Sequence, residues 1–289
     1  MSEYDSLQRF LFEDLGIRGE LVRLDASWRS VQERHPYPPK VAEQLGQALA
    51  ATLLLSATIK FQGSLILQAQ SGGPIQTLVA QATHHRGLRG LARWQGEVAG
   101  RSLAELFGEG RLVLTIQNEG NEPYQGIVPL EGANLAAALQ SYFALSEQLP
   151  TRLWLAADGQ RATGLFIQEL PAQRRSQEDW DRITYLADTV TEAELLKLPR
   201  QELLYRLFNE ERVRVFESEP VAFRCGCSRE RIEGLLAHLA QDAIESIAQE
   251  RGMIEVDCEF CNRHYSFDPI DVRLMYSGQP KPPSSTTRQ

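Results

Sequence analysis

The sequence predicts an α+β fold: an N-terminal domain of antiparallel sheet, a helical linker, and a small C-terminal module built around cysteines. Three observations predict it. Strand-length apolar runs come as hairpin pairs up to residue 170, with few helices between them, rather than alternating one for one with helices. The composition shifts at Pro171 to a charged stretch with helical patterning. All four cysteines then fall between residues 225 and 261, as two tight pairs.

Residues 7–15 form a short apolar segment, and RGELVRLD (18–25) alternates as a strand, with Leu21 and Val22 breaking strict period two. ASWRSVQER (26–34) reads as a helix ended by His35-Pro36. Pro38 and Pro39 can open the next helix, which runs to about Ile59 with Val41, Leu45, Leu49 and Leu53 along one side. It is expected to be the central buried helix of the domain. GSLILQAQ (63–70) and IQTLVAQAT (75–83) make a hairpin around SGGP, and GLRGLARW (87–94) a third strand. SLAELF (102–107) is a short helix stopped by glycine, and 111–117 and 124–130 are a further strand pair. Residues 133–148 read as one helix ending before Pro150. A last hairpin, 152–159 with 162–170, turns at Asp158-Gly159.

These features divide the chain into an α+β domain over 1–171, a helical linker over 172–220, a cysteine module over 221–276, and a disordered tail over 277–289 rich in Pro, Ser and Thr. In the linker, Thr191 with Glu194 fits a capping box, and Leu203, Leu204, Leu207 and Phe208 form an apolar stripe. Short amphipathic helices do not stand alone in water, so this segment must lie against something, and it is expected to be metastable. In the module, Ser228 is the candidate N-cap of one helix carrying Ile232, Leu235, Leu236, Leu239, Ala243 and Ile247 to Gly252. MIEV and YSF flank the second cysteine pair as a hairpin, and Asp268-Pro269 starts a last short helix.

A net charge of −8 argues against general affinity for nucleic acid or anionic membrane. The most apolar run, 48–59, is too short to span a bilayer. The first residues lack a basic region followed by a clean apolar one, which points to a reducing cytoplasm. No phosphate-binding glycine loop, nucleophile elbow or H-E-x-x-H is present, so no enzyme activity is expected.

The chemistry lies in Cys225 with Cys227 and Cys258 with Cys261. Two closely spaced pairs of thiolates suit one tetrahedral soft metal, and four thiolates leave no position for a catalytic water. One Zn²⁺ is therefore the expected cofactor, and His264, three residues after Cys261, is expected outside the ligand set. Whether such a site is an inert staple or a redox switch is left open by spacing. A bound metal keeps the sulfurs as thiolates, the form oxidants attack, so oxidation would destroy the site. Arg224, Arg229, Arg231 and Arg263 lie near the cysteines in sequence. They support a rival reading, a structural zinc ribbon that binds nucleic acid, which the acidic total disfavours.

Taken with CGCSRER, IEVDCEFCNRHYSF, SATIKFQGSLILQAQSGGPI, YQGIVPL and YFALSEQLPTRLWLA, the chain resembles the redox-regulated 33 kDa chaperonin family of heat shock proteins over nearly its whole length. The resemblance implies a cytoplasmic, ATP-independent holdase that binds unfolding client proteins under oxidative stress. It implies zinc on the four cysteines when reduced, and Cys225–Cys227 and Cys258–Cys261 disulfides with zinc loss when oxidised. It also implies unfolding of module and linker, and a homodimer in the active state. On this reading the stripe of Leu203, Leu204, Leu207 and Phe208 becomes available to clients.

Overall fold

Helix α2 (Pro39–Thr58) has an apolar residue facing almost every direction, and Val41, Leu45, Ala48 to Ala51 and Leu53 to Leu55 are all at or near zero exposure. A helix apolar all round has to be enclosed. In the computed structural model of this protein, which describes residues 5–170 and 176–277, α2 lies between two sheets. Its hydroxyls are satisfied within the helix: Thr52 Oγ1 donates to the Ala48 carbonyl at 2.7 Å and Ser56 Oγ to that of Leu53 at 2.7 Å. Gly46 lets α2 approach the first sheet, since a Cβ there would sit 2.6 Å from that of Ala157.

The first sheet contains β1 (Ser6–Phe12), β2 (Ile17–Leu24), β8 (Thr151–Ala157), β9 (Ala162–Glu169) and β10 (Val213–Pro220), in the order β10-β1-β2-β9-β8 and antiparallel throughout. The second contains β3 (Gly63–Ser71), β4 (Ile75–Thr83), β5 (Gly87–Trp94), β6 (Gly110–Asn118), β7 (Tyr124–Pro129) and β11 (Ala222–Phe223), in the order β11-β5-β4-β3-β6-β7. All its pairs are antiparallel except β11 with β5. Helices α1 (Ala26–Gln32), α3 (Leu103–Phe107) and α4 (Leu135–Tyr142) complete this body, and the expected helix over 133–148 ends in a π-helical turn, Phe143–Glu147. The antiparallel α+β architecture expected from the sequence is present.

The first sheet is covered on both faces. Leu7, Val22, Leu24 and Phe166 join the core around α2. Phe10, Phe12, Ile17, Leu21, Leu165 and Ile167 face the other way, into a second core closed by α5 (Gln177–Ala187), α6 (Glu192–Lys197) and α7 (Arg200–Phe208). This is why Leu21 and Val22 are both buried and why every residue of β9 is buried. Ser176 caps α5, and the Thr191–Glu194 capping box opens α6. At the other end of α6, Arg161 donates to the Leu196 carbonyl at 3.0 Å and Arg23 to that of Leu198 at 3.3 Å; both arginines also pair with Asp25.

The segment 172–220 is not helical to its end. Val213–Pro220 forms β10 because the alternating VRVF run meets the edge of β1, and the strand is interrupted by a bulge opposite Gln8 to Phe10. The chain divides into two compact units, Met1–Arg224 and Cys225–Gln289. In the second, α8 (Arg229–Ala237), α9 (Gln241–Arg251), the hairpin β12 (Ile254–Asp257) with β13 (His264–Phe267), and α10 (Pro269–Ser277) enclose a small core. The single helix expected from Ser228 to Gly252 is two, broken at 238–240. At the break the Leu236 carbonyl accepts from Leu239 N–H at 3.0 Å, and the Tyr276 hydroxyl lies 2.9 Å from Leu236 O and 3.1 Å from Leu239 O. The break also rotates the buried face: Ile244 and Ala248 go inside, while Leu235, Leu239, Ala243 and Ile247 are exposed. Pro171 and most of the expected disordered tail (278–289) lie outside the described residues.

Two expectations follow. Phe208, 2% exposed and edge-on to Phe12 at 4.9 Å, anchors α7 to the sheet. Phe208→Ala should cost about 3–5 kcal/mol, and hydrogen exchange should quicken in 177–208 while α2 stays protected; equal quickening in α2 would show that the layers unfold as one. Glu20 is buried in β2 with one carboxyl oxygen unpartnered, and burial pushes its pKa up to about 8. The native state therefore keeps a proton that the unfolded chain loses above about pH 4.5, so Glu20 makes stability fall from there through about pH 8. Glu20→Gln should flatten that slope in urea unfolding by a few kcal/mol, at about 1.4 kcal/mol per pKa unit; an unchanged slope contradicts the assignment.

Candidate metal centre

Each cysteine pair is aimed by its own local geometry. Gly226, between Cys225 and Cys227, has φ +66, a conformation that side-chain-bearing residues avoid, so the backbone can turn both thiols to one side. After Cys227, the Ser228 hydroxyl accepts from Arg231 N–H at 3.2 Å and starts α8, and Arg231 returns a bond to the Gly226 carbonyl at 3.0 Å. The second pair sits at the tip of the β12–β13 hairpin. Cys258 accepts through its carbonyl from Cys261 N–H at 3.1 Å and from Asn262 N–H at 2.7 Å, and its own N–H reaches Arg263 O at 3.0 Å. Asn262, at φ +54, completes this knuckle.

The two turns bring all four Sγ atoms within 4.8 Å of one another. The short separations run between pairs, Cys225 to Cys258 and Cys227 to Cys261, each 3.4 Å. All four cysteines are unbridged, with Cys258 buried and the others half-buried. Burial pushes Cys225 up to about 12 and also raises Cys261. For Cys227 burial again opposes ionisation, but hydrogen bonds from the Tyr265 hydroxyl at 3.1 Å and from neighbouring thiols outweigh it and bring it down to about 7. Without a cation, then, Cys225 and Cys261 are held toward the thiol while Cys227 is drawn toward the thiolate. An ion able to accept four sulfurs would invert that balance.

The cysteines are also part of the packing. Ile232, Leu236, Ile244, Ala248, Ile254, Cys258, Tyr265, Phe267 and Val272 are the buried core, with the other three cysteines packed against it. Of the nearby arginines, Arg224 belongs to the first unit, where its N–H bonds the Leu88 carbonyl at 2.9 Å, while Arg229 and Arg231 are engaged within the second. Arg229 bonds Asp271 at 2.6 Å and the Ser266 carbonyl at 2.7 Å, and stacks 4.4 Å over the Phe267 ring. His264 turns outward, half exposed, with Nδ1 2.8 Å from Asp257. The residues expected to meet clients are elsewhere: Leu203, Leu204, Leu207 and Phe208 lie in the first unit, 2 to 5% exposed, against Phe10, Phe12 and β9. Tyr265 was not singled out from sequence. Its signal is period two in the hairpin, which puts Tyr265 and Phe267 on the cysteine side and His264 and Ser266 outside.

Comparison with known proteins agrees with this geometry. The family described as Hsp33 protein matches residues 5–268. The chain is 66% identical over 288 residues to the 33 kDa chaperonin of Nitrosococcus oceani, and 48% identical over 296 residues to that of Pseudomonas paraeruginosa, with full coverage of both chains in each case. The crystal structure of the 33 kDa chaperonin from Thermotoga maritima superposes with a TM-score of 0.83 at 24% identity, covering 94% of this chain and 98% of that one. An α+β body, a four-sulfur cluster in a separate C-terminal unit, and similarity along the full length place this chain in the Hsp33 family.

Proposed function

We propose that this protein is an ATP-independent holdase chaperone, cytoplasmic and non-enzymatic, held inactive by one Zn²⁺ on Cys225, Cys227, Cys258 and Cys261 and activated by thiol oxidation. The observation that carries the reading is the convergence of four sulfurs inside the small core of the second unit. A zinc ion with bonds of about 2.3 Å to four thiolates needs sulfurs about 3.8 Å apart. The separations here, from 3.4 Å up to 4.8 Å, bracket that value.

Energetics favour dependence on the metal. A unit this small, with nine buried core residues among those described, supplies only about 3–5 kcal/mol of net stability, against about 10–16 kcal/mol for a structural zinc. Peroxide can remove the ligands in two steps. A thiolate attacks the peroxide oxygen, giving sulfenic acid and hydroxide; the second thiolate of the pair then displaces a second hydroxide from that sulfur, leaving a disulfide. Two electrons pass from sulfur to peroxide at each of Cys225–Cys227 and Cys258–Cys261. No thiolate remains to hold the ion, and the unit loses its fold.

On this reading the segments act in turn: residues 221–276 are the switch, 172–220 the metastable cover, and 1–171 the body that clients and a second copy of the chain meet. Support for the cover comes from α5 to α7, short helices of 11, 6 and 9 residues that depend on the apolar face beneath them. Lifting them bares Phe10, Phe12, Ile17, Leu21 and Ile167 as well as Leu203, Leu204, Leu207 and Phe208. Contiguous apolar surface of this kind suits partly unfolded clients.

Treating the reduced, zinc-loaded protein with peroxide under mild heat should release zinc and raise suppression of a reporter enzyme's thermal aggregation along one time course; equal suppression before and after oxidation would remove the switch. Leu204→Ala with Leu207→Ala should raise suppression in the reduced state several-fold while zinc stays bound. No gain in that variant would detach the cover from the activity.

A further inference from the structure

Resting on the holdase reading, we propose how clients are held: an extended stretch of unfolded polypeptide adds to the first sheet along the edge of β1, in the place that β10 occupies at rest. β10 is the template for that occupant. It runs antiparallel to β1 from Ser6↔Pro220 to Phe12↔Val213, and pairing continues past both ends through Val221 N–H to Asp5 O at 2.7 Å and Glu13 N–H to Arg212 O at 2.8 Å. Yet no β10 side chain is buried, and Val215 and Phe216 are 43% and 40% exposed. Val213 packs against the second core and Glu219 is ion-paired, but the other side chains contribute little burial, so the strand is held largely by its main chain, which every polypeptide carries. A site that accepts β10 on those terms is indifferent to most of a client's sequence.

One side chain adds a preference. Glu219 lies between two guanidinium groups, 2.7 Å from Arg9 Nη2 and 2.7 Å from Arg86 Nε. When β10 leaves, the two arginines lose this shared carboxylate, so a replacement strand with an acidic residue at that register is favoured. β7 and β8, at the far ends of the two sheets, have no further partner strand among the described residues already in the resting fold, and so do not account for a site that appears on activation. The β1 edge can. β11 ends at Phe223, one residue before Arg224 and two before Cys225, so order lost in the second unit is passed directly along the chain to the strands that cover β1 and β5.

The test uses the oxidised full-length protein holding a heat-unfolded reporter enzyme, challenged with synthetic peptides of residues 213–220. One peptide is unmodified. Another is N-methylated only where N–H groups would face β1, and a third only where they would face solvent. The unmodified and solvent-side peptides should displace the reporter, the β1-side peptide should be weaker by about tenfold or more, and Glu219→Gln in the peptide should also weaken it. None should bind the reduced protein. Suppression of aggregation by the oxidised protein with both methylated peptides equally effective, or all peptides inert, overturns strand addition and leaves the holdase reading standing. An oxidised protein that does not suppress aggregation removes both.

Discussion

Crowding of four thiols in one small core is the constraint on which the C-terminal unit depends. Their sulfurs lie within 4.8 Å of one another, and burial resists ionisation of Cys225 and Cys261, so the cluster cannot carry four negative charges without a cation among them. The same sulfurs help fill the core that α8, α9, α10 and the β12–β13 hairpin share. On the proposed reading, ion, ligands and packing form one cooperative element. On that reading, loss of any ligand would leave the others in an unfavourable charge state around a core too small to hold together alone.

The first unit solves a different problem with an unusual sheet. Most antiparallel sheets keep one wet face; here one face meets α2 and the other meets α5 to α7. The inner layer is tightly made, with α2 sealed on every side. The outer layer consists of short helices held by one stripe and by arginine caps from Arg23 and Arg161. Two cores of different size share one sheet, and the proposed function requires that the smaller open while the larger persists. That asymmetry is what a protein needs if it is to expose apolar surface without unfolding altogether.

Much of this was legible in the sequence, and the rest was hidden for identifiable reasons. The cysteine pairs stood out because the residue is used nowhere else, and hairpins such as 63–83 and 152–170 because turn residues separate clear apolar runs. β1 read only as an apolar segment because both of its faces are buried, Leu7 on one side and Phe10 and Phe12 on the other, which erases alternation. β10 was hidden inside a charged segment whose preceding residues are helical; its strand form is imposed by the edge of β1, more than 200 residues earlier in the chain. The break between α8 and α9 has the same character. Leu235, Leu239, Ala243 and Ile247 fit a helical stripe, but the hydroxyl of Tyr276 stabilises the interruption and turns Ile244 and Ala248 inward instead. Local pattern identifies elements; partners distant in sequence decide where they stop.

The central claim is that metal held by sulfur, rather than apolar packing, keeps residues 225–277 folded. Its most direct test is hydrogen exchange on the fully reduced protein before and after removal of the ion with a strong chelator, with no oxidant present. The account predicts that amides of α8, α9 and the β12–β13 hairpin lose protection together while those of α2 keep theirs. Unchanged protection across 225–277 in the metal-free, reduced protein would contradict it.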